Sequence, residues 1–436
     1  MEIPRTSALF LVLGAVWFLW GARKPSWDPF APIRLFGAVW FSAVGLTNLY
    51  WSELQMRWTY WSWFCILGSM ATFMAGAYLG GATKLTKRAD LRFSTNIEID
   101  SRRFLIAAGV LYVVCLAAYM WRVYLVGNFP AFASNVEEAR WAFYDIENGS
   151  ALDRITGNLA FLFSAVVIVC SFFFMVPSKK PTSRSVSVIV AVLLLSAVLL
   201  LILTTFRGGL LSPVIIVCVL YHYVRRNFRF LTLVAVTTGI AAAGVALVVY
   251  RHLSSPGFDL ESTYSLAYIN LPLEYAPLAE PYSSIALSVD NIVHLFEHSQ
   301  NWTMGALTFR PIWTLLGLKG MFLQNATLPF LPAYGFNTAT YLLPFYEDFG
   351  TAGVLVFPFM FGLVAGKCYH ALRARHRLFY ALGYGFVVML ILISVMDNIF
   401  VFMKFWIELG SVYMVLRYSI GHIPPLSQKS VLPARG

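Results

Sequence analysis

The chain has 436 residues, of which 59% are hydrophobic and only 12% are charged, and it carries a formal net charge of +11. A mean hydropathy of +0.69 sets it far apart from an average soluble domain and excludes that class. Apolar runs of about twenty residues, each long enough to cross a bilayer core, recur along almost the whole sequence. This pattern indicates a polytopic helical membrane protein.

Eleven of these runs are predicted to be membrane-spanning helices, which makes the chain an all-α protein. In chain order they are 7–22, 33–50, 60–82, 103–126, 154–176, 185–205, 209–224, 230–250, 350–372, 378–396 and 399–420. The first is short for a span and could instead lie at the membrane interface. No clear small-residue cleavage site follows it, so a signal peptide is not expected.

The distribution of charge over the loops predicts the orientation of the chain. One set of alternate loops holds 21 basic and four acidic residues, whereas the other holds eight basic and 16 acidic residues. Because basic loops remain in the cytoplasm, the N-terminus is expected outside and the C-terminus inside. The net charge is therefore a topology signal, and binding of nucleic acid is not expected.

Two segments of the acidic set are longer than the other connections. The first is 127–153, and the second, 251–349, separates spans eight and nine. A loop of that length usually has structure or a function of its own. The chain thus divides into helices 1–8 over residues 1–250, a large outer loop with amphipathic helices over 251–349, and helices 9–11 with a cytoplasmic tail over 350–436.

Arg207 is the first candidate functional residue, because it lies in the short turn 204–209, TTFRGG, on the predicted outer side. Arginine is sparse on that side of a membrane, and guanidinium binds phosphate in a two-pronged way. The two glycines that follow leave backbone N–H groups open to a ligand. The turn predicts an anion site, with snorkelling of the side chain to the lipid headgroups as the alternative.

Three further arginines belong to the same side of the membrane. Arg140 follows two glutamates, Arg251 directly follows span eight and precedes His252, and Arg310 is isolated. Arg140 could belong to the solvated face of a surface helix, and Arg251 could anchor the chain at the interface. Their roles stay open between ligand binding and structure.

Segment 285–298 has the period of an amphipathic helix, and its polar edge contains Asp290, His294, Glu297 and His298. Such a helix can lie along the membrane surface with its polar edge toward a cavity. The edge could bind a divalent metal or supply a general base, but ordinary surface helices show the same spacing. A metal site is not predicted.

Two charged residues, Lys404 and Glu408, lie four apart inside span eleven, where charges are costly unless they pair. This spacing favours a structural clasp to a neighbouring helix over proton-coupled transport. Asp397 and Asn398, at the outer mouth of the same span, could reach a substrate on the outer side.

Residues 346–353, YEDFGTAG, place acids and aromatic rings just before span nine. Aromatic faces with nearby carboxylates suit sugar rings, whose C–H groups pack on the ring while hydroxyls donate to the acids. An interfacial aromatic belt has the same composition, so this segment alone does not separate the two roles.

Together these features resemble the bacterial oligosaccharide repeat-unit polymerases, the Wzy-type O-antigen polymerases. The resemblance lies in about eleven spans, one large outer loop, the turn Thr205-Phe206-Arg207-Gly208 and the 346–353 motif, and 127–140 is similar to the earlier outer loop of that family. It implies a GT-C-like glycosyltransferase of the inner membrane that acts on polyprenyl-diphosphate-linked oligosaccharides without cofactor or metal. The lipid bilayer, a chain-length regulator and a flippase are the other partners that it implies.

The resemblance also implies roles for the candidate residues. Arg207 would be the principal diphosphate ligand, with Arg140 and Arg251 as lesser candidates. The candidates for a general base, which the sequence does not rank, are Asp348, Glu347, His252 and His294. Arg310 and Tyr346 would bind substrate, and inversion at the anomeric carbon is implied by analogy.

Other functions stay open beside this one. A ligase of the same superfamily would share the arginines and differ in its acceptor. A transporter or flippase of lipid-linked sugars would need broken helices and buried charge near the midplane, for which Lys404 and Glu408 are the candidates. A non-catalytic scaffold would not need an arginine in a tight outer turn.

Overall fold

The computed structural model describes residues 4–22, 27–83, 99–144, 151–176, 183–204, 207–225, 267–298, 302–323, 338–375 and 378–420, with scattered single positions between 228 and 265. In these ranges the chain forms fifteen α-helices and no strand. Extended pairing is confined there to two isolated bridges, Ser52–Ile269 and Ile99–Ile420. The all-α prediction is confirmed for this part of the chain.

The helices are numbered in chain order. They are α1 Arg5–Leu19, α2 Pro32–Thr47, α3 Tyr60–Leu79, α4 Ser101–Val126, α5 Val136–Tyr144, α6 Ala151–Ala160, α7 Phe163–Met175, α8 Arg184–Leu203, α9 Arg207–Val224, α10 Ala276–His298, α11 Arg310–Leu315, α12 Lys319–Leu323, α13 Leu343–Arg375, α14 Leu378–Ile393 and α15 Met403–Ser419.

Five stretches of helix are long and apolar enough to cross a membrane: Tyr60–Leu79, Ser101–Phe132, Ile155–Met175, Arg184–Leu203 and Leu343–Ala374. Shorter apolar helices accompany them, among them α1, α2 and α14. The protein is therefore embedded in a membrane through its helices. The predicted span 230–250 lies outside the described ranges apart from isolated positions.

Helix ends follow from the local sequence, as α4 illustrates. The Asp100 carboxylate accepts hydrogen bonds from the N–H groups of Arg102 and Arg103, at 3.0 and 3.2 Å, and so caps the first turn. The helix stops at Gly127, whose φ of 80° is left-handed and suits a residue without Cβ. Between these signals it runs for 26 residues.

The α3–α13 contact is a seam of small residues. Each helix presents a pair of glycines four residues apart, Gly76 and Gly80 on α3 and Gly362 and Gly366 on α13. A Cβ placed on Gly76 would lie 2.1 Å from the carbonyl oxygen of Phe359, and one on Gly362 would lie 2.1 Å from that of Phe73. The two backbones therefore touch directly, as in membrane helix pairs with small residues at this spacing.

Contacts between loops separate into the two sets that the charge pattern predicts. Ile99 pairs with Ile420, and Arg225 donates to the carbonyl oxygen of Phe174. Ser52 pairs with Ile269 at the opposite end. We name the two ends of the bundle by one acid each: the Asp28 end (28–34, 99–100, 222–225, 369–373 and 419–420) and the Asp397 end (49–59, 267–298, 302–310, 338–349 and 394–403).

A buried carboxylate organises the Asp28 end. Asp28 is 5% exposed, and its Oδ2 atom accepts hydrogen bonds from the hydroxyls of Tyr223 and Tyr369, at 2.9 Å each. Arg373 Nη1 lies 3.6 Å from the same oxygen, and His222 Nε2 lies 3.7 Å from Oδ1. One side chain thus fastens the segment before α2 to the ends of α9 and α13.

At the Asp397 end, the described part of the large outer loop folds back onto the bundle. Helix α10 packs against α2 and α3, and the polar edge that was expected to face a cavity is partly buried there. Asp290 Oδ2 accepts the N–H of Met56 at 3.1 Å, and Glu297 Oε1 accepts the hydroxyls of Thr59 and Ser62. The expectation of a cavity-facing edge is wrong for these two acids, because the turn before α3 supplies their donors.

Candidate functional site

A break between α14 and α15 forms the polar part of the candidate site. After α14 the chain turns sharply, because the N–H groups of Met396 and Asp397 both donate to the carbonyl oxygen of Ile393, at 2.8 and 3.0 Å. A short 3-10 turn then leads into α15. The break leaves Asp397 and Asn398 outside helical structure at this end of the bundle.

Segment 338–342 is bound across the break. The N–H of Tyr341 donates to the carbonyl oxygen of Ser394 at 2.8 Å, and Asn398 Nδ2 donates to the carbonyl oxygen of Tyr341 at 2.9 Å. From the other side, Asn291 Nδ2 of α10 donates to the carbonyl oxygen of Thr338 at 2.5 Å. Helix α10, this segment and the break therefore form one connected structure.

Three polar residues, Asp397, Asn398 and Tyr341, line a narrow cavity at the break that leaves no room for a water-sized molecule. Its other walls are apolar and come from Phe361, Leu390, Ile399 and Phe400. Tyr341 and Asn398 are only 2% and 3% exposed, yet the Tyr341 hydroxyl and the Asn398 Oδ1 atom have no hydrogen-bond partner among the described residues. Unpaired buried polar atoms cost roughly 1–3 kcal/mol each, so the break lowers the local stability of the bundle.

Asp397 is partly exposed as a residue, unlike Tyr341 and Asn398, although its carboxyl group points into the protein. Burial raises the pKa of Asp397 to about 6, and the N–H of Asn398, which donates to Oδ1 at 2.7 Å, opposes that rise. A carboxylate with a pKa near neutrality can accept a proton at physiological pH and return it. Asp397 therefore has the properties of a general base.

Arg310, one of the arginines singled out in the sequence, lies against the same break. It is the first residue of α11, and its guanidinium carbon lies 5.9 Å from the ring centre of Phe402, five residues after Asp397. Such a contact keeps a cation near the face of an aromatic ring. The structure thus brings a predicted substrate-binding arginine to the segment that carries the carboxylate.

Asp348 holds the turn that leads to Arg310. It is fully buried, and its carboxylate accepts hydrogen bonds from the N–H groups of Leu307 and Thr308, at 3.2 and 2.5 Å, and from the hydroxyl of Thr303. Three of its roughly four acceptor positions are thus used within the protein. The catalytic role of Asp348 stays a prediction, and its observed role is to position residues 303–308.

The glycine of the 346–353 motif is required by the backbone. Gly350 has φ 59° and ψ −146° and kinks α13 near its start. A Cβ at this position would lie 2.8 Å from the ring of Trp302, so a larger residue would also clash. The motif is therefore a joint between α13 and the 302–308 turn.

Tyr346 and Glu347 are buried beside this joint, at 4% and 3% exposure. The Tyr346 hydroxyl donates to the carbonyl oxygen of Phe296 at 3.2 Å, and its ring makes an edge contact with Trp302 at 5.5 Å. Tyr346 therefore links α10 to α13. Substrate binding by Tyr346 and catalysis by Glu347 stay predictions.

His294 lies half-buried on α10 with its ring stacked on His298 at 4.2 Å. Burial and the neighbouring imidazole both lower the pKa of His294, which favours the neutral ring. No cluster of three or more histidine, cysteine or acidic residues suited to a metal occurs in the described ranges. His294 can therefore accept a proton, but it lies on a different helix from the break.

Arg140 belongs to α5, a short helix anchored by a buried arginine of α4. Arg122 is 3% exposed, and its guanidinium donates to the carbonyl oxygen of Ala142 at 2.8 Å and to that of Phe143. Positive charge near the last carbonyls stabilises a helix end. Arg140 itself lies 4.8 Å from the ring centre of Trp141, and its contact with an anion stays a prediction.

The remaining predicted residues are described only in part. Arg207 is the first residue of α9, directly after the α8–α9 connection, but its side chain lies outside the described part. Arg251 and His252 lie entirely outside the described residues. The roles of these three residues stay predictions.

Lys404 and Glu408 lie on the side of α15 that faces α6 and α7. Lys404 Nζ lies 4.1 Å from the ring centre of Phe161, in the connection between those helices, and Glu408 is 4% exposed. Contact with a neighbouring helix is what a structural clasp requires. The choice between clasp and proton coupling stays a prediction.

No protein-family model, no curated protein and no solved structure matches this chain. The site is therefore interpreted from its own geometry: a carboxylate with a raised pKa, two buried unpaired polar atoms and an arginine, gathered at one helix break.

Proposed function

We propose that the protein polymerises polyprenyl-diphosphate-linked oligosaccharide repeat units on the outer face of the cytoplasmic membrane. In this proposal the chain has eleven spans in a GT-C-like arrangement, with its N-terminus outside, its C-terminus in the cytoplasm and the Asp397 end facing out. Five helices long and apolar enough to span, and loop contacts that follow the predicted sides, support the arrangement. The resemblance of the 204–209 turn and the 346–353 motif supports the activity.

The observation that carries the proposal is the Asp397 carboxylate at the helix break. A sugar hydroxyl both donates and accepts hydrogen bonds, so it can donate to the Asp397 carboxylate. The cavity is too narrow for a water-sized molecule, so an acceptor would approach through the partly exposed Asp397. Aromatic walls, such as Phe400, suit the C–H faces of a sugar.

The reaction joins a growing glycan to a single repeat unit. The acceptor hydroxyl oxygen attacks the anomeric carbon of the lipid-linked chain, and the bond from that carbon to the diphosphate breaks. The hydroxyl proton passes to the base, for which the geometry favours Asp397 beside the earlier candidates Asp348, Glu347, His252 and His294. The polyprenyl diphosphate leaves with the bonding electrons, and inversion at carbon is implied by the resemblance alone.

Cationic groups would stabilise the leaving diphosphate, where negative charge develops. Arg207 is the principal proposed ligand, because it begins α9 directly after a short turn, and Arg140 and Arg251 are lesser ones. Arg310, next to the break, would orient the acceptor or the diphosphate nearest to Asp397. The bilayer would supply the lipid-linked substrate, and a flippase and a chain-length regulator are proposed partners.

The proposal is tested by the gel profile of surface glycan from cells that lack this gene and carry a variant copy. Arg207→Ala should insert normally but restrict surface glycan to single repeat units, because the diphosphate loses its two-pronged ligand. Arg207→Lys should restore only part of the long-chain glycan, since a point charge lacks that geometry. Long-chain glycan in Arg207→Ala cells at normal protein level would overturn this assignment.

The deletion strain separates the alternatives. Cells that lack a polymerase transfer single repeat units to the surface. Cells that lack a ligase instead accumulate long chains on the lipid carrier. Loss of a flippase would trap lipid-linked repeats inside. If the protein is a non-catalytic scaffold, the purified protein in lipid vesicles will show no extension of the glycan chain.

A further inference from the structure

A groove of about 610 Å³ lies between α7, α8 and α9. Its lining residues are Ser171, Phe174 and Met175 of α7, Leu194 of α8, and Tyr221 and Arg225 at the end of α9. The volume falls within the range of about 300–1,000 Å³ that is usual for ligand pockets. None of the proposed catalytic residues belongs to it.

The groove lies at the Asp28 end of the bundle. Tyr223, two residues before Arg225, donates to Asp28, and Arg225 Nη2 donates to the carbonyl oxygen of Phe174 at 2.7 Å, one residue before α7 ends. Arg225 therefore lies where two apolar helices stop. Arginines at that level of a membrane protein face the lipid headgroups.

Arg225 has donors left for an anion. A guanidinium carries five N–H donors, and the Phe174 carbonyl uses one of them. The side chain is exposed, and the hydroxyl-bearing residues Ser171 and Tyr221 line the same groove. Because the described lining contains no carboxylate, the rim is electrostatically complementary to a phosphate.

The remaining walls of the groove are apolar and open to the bilayer. They include Phe174, Met175 and Leu194. Helix α8, which forms one wall, is only 17% buried in the protein over its apolar window, so most of its surface faces lipid. A molecule that fills this groove would enter from the bilayer and place an apolar chain against these side chains.

We propose that the groove binds an anionic phospholipid, with its phosphate on Arg225 and an acyl chain between α7, α8 and α9. Basic pockets between membrane helices on the cytoplasmic side bind anionic headgroups in this way. The bound lipid would cover part of the exposed surface of α8 and extend its contacts with the two helices beside it.

Native mass spectrometry of the purified full-length protein tests this inference. The protein is exchanged into detergent with phosphatidylglycerol or with phosphatidylcholine of the same acyl chains, and retained lipid is counted. Wild type should retain phosphatidylglycerol in preference. Arg225→Ala should lower that retention about fivefold, as expected for one arginine at a membrane surface, and Arg225→Lys should lower it less.

Arg102→Ala is the matched control, because Arg102 is an exposed arginine at the same end of the bundle, at the start of α4. It should retain lipid like wild type. Leu194→Trp, which keeps Arg225 and fills the groove, should lower retention of both lipids. Equal retention of the two lipids by wild type, unchanged retention in Arg225→Ala, or an equal loss in Arg102→Ala would each overturn the proposal.

Discussion

Asp348 and Asp397, two carboxylates at the same end of the bundle, have opposite surroundings. Asp348 accepts three hydrogen bonds and is fully buried, so its charge is neutralised by donors that also fix the turn 303–308. Asp397 is partly exposed and accepts the N–H of Asn398, and burial raises its pKa to about 6. The first arrangement holds a fold together, whereas the second leaves a carboxylate able to take up a proton.

A matched pair of variants distinguishes these roles. Asp397→Asn should leave thermal unfolding unchanged and lower chain extension about 100-fold or more, because an amide cannot act as a base. Asp348→Asn should instead lower stability by roughly 1–3 kcal/mol, since a donor amide then faces N–H groups that need acceptors. Glycan extension by the purified variants in lipid vesicles measures the first effect, and their thermal unfolding in detergent measures the second. Lost stability in Asp397→Asn with lost extension alone in Asp348→Asn would exchange the two roles.

The raised pKa of Asp397 also sets a pH dependence for the wild type. A base must be ionised to act, and a carboxyl group with a pKa of about 6 becomes protonated as the pH falls through that value. Extension should therefore be constant above about pH 7 and fall about tenfold for each pH unit below 6. A rate that stays flat down to pH 5 would exclude Asp397 as the base.

At the scale of elements, the α3–α13 seam depends on glycine more than on apolar bulk. Gly362→Ala would place a Cβ 2.1 Å from the carbonyl oxygen of Phe73, so the helices must separate. We expect a loss of about 1–3 kcal/mol in unfolding free energy, typical of overpacking. Gly109→Ala in α4 is the control, because a Cβ there meets nothing within 4 Å.

The control should be neutral or stabilising by about 0.5–1 kcal/mol, since alanine is favoured over glycine inside a helix. Thermal unfolding of both variants in the same detergent measures the difference. Equal melting temperatures for Gly362→Ala and wild type would show that the seam tolerates a wider spacing.

How far sequence predicts these elements depends on the kind of signal. Apolar length predicted the helices that became α3, α4 and α8, because a span must satisfy its backbone internally. The polar edge of 285–298 was misjudged, because the partners of Asp290 and Glu297 are residues near 56–62, more than 200 positions away. Asp28 was visible only as one of few acids among basic loops, and its side-chain partners come from two distant segments, the ends of α9 and α13.

On the scale of the whole molecule, the charge pattern and the contacts define the same two ends, and the charge pattern alone predicts that the Asp397 end faces out. A cysteine-free variant with one new thiol, at Ser134 or at Ser183, decides this, because both positions are exposed. A membrane-impermeant maleimide should label Ser134→Cys in intact spheroplasts and Ser183→Cys only after permeabilisation. The opposite labelling would invert the proposed topology and move Asp397 to the cytoplasm.

The glycine seam also limits how a substrate can reach the Asp397 end. Where a carbonyl oxygen of one helix occupies the space of a missing side chain on the other, no acyl chain passes between them. The α3–α13 face is therefore a closed wall of the bundle. Under the proposed function, a lipid-linked glycan would have to reach the Asp397 end along another side of the bundle, away from this pair of helices.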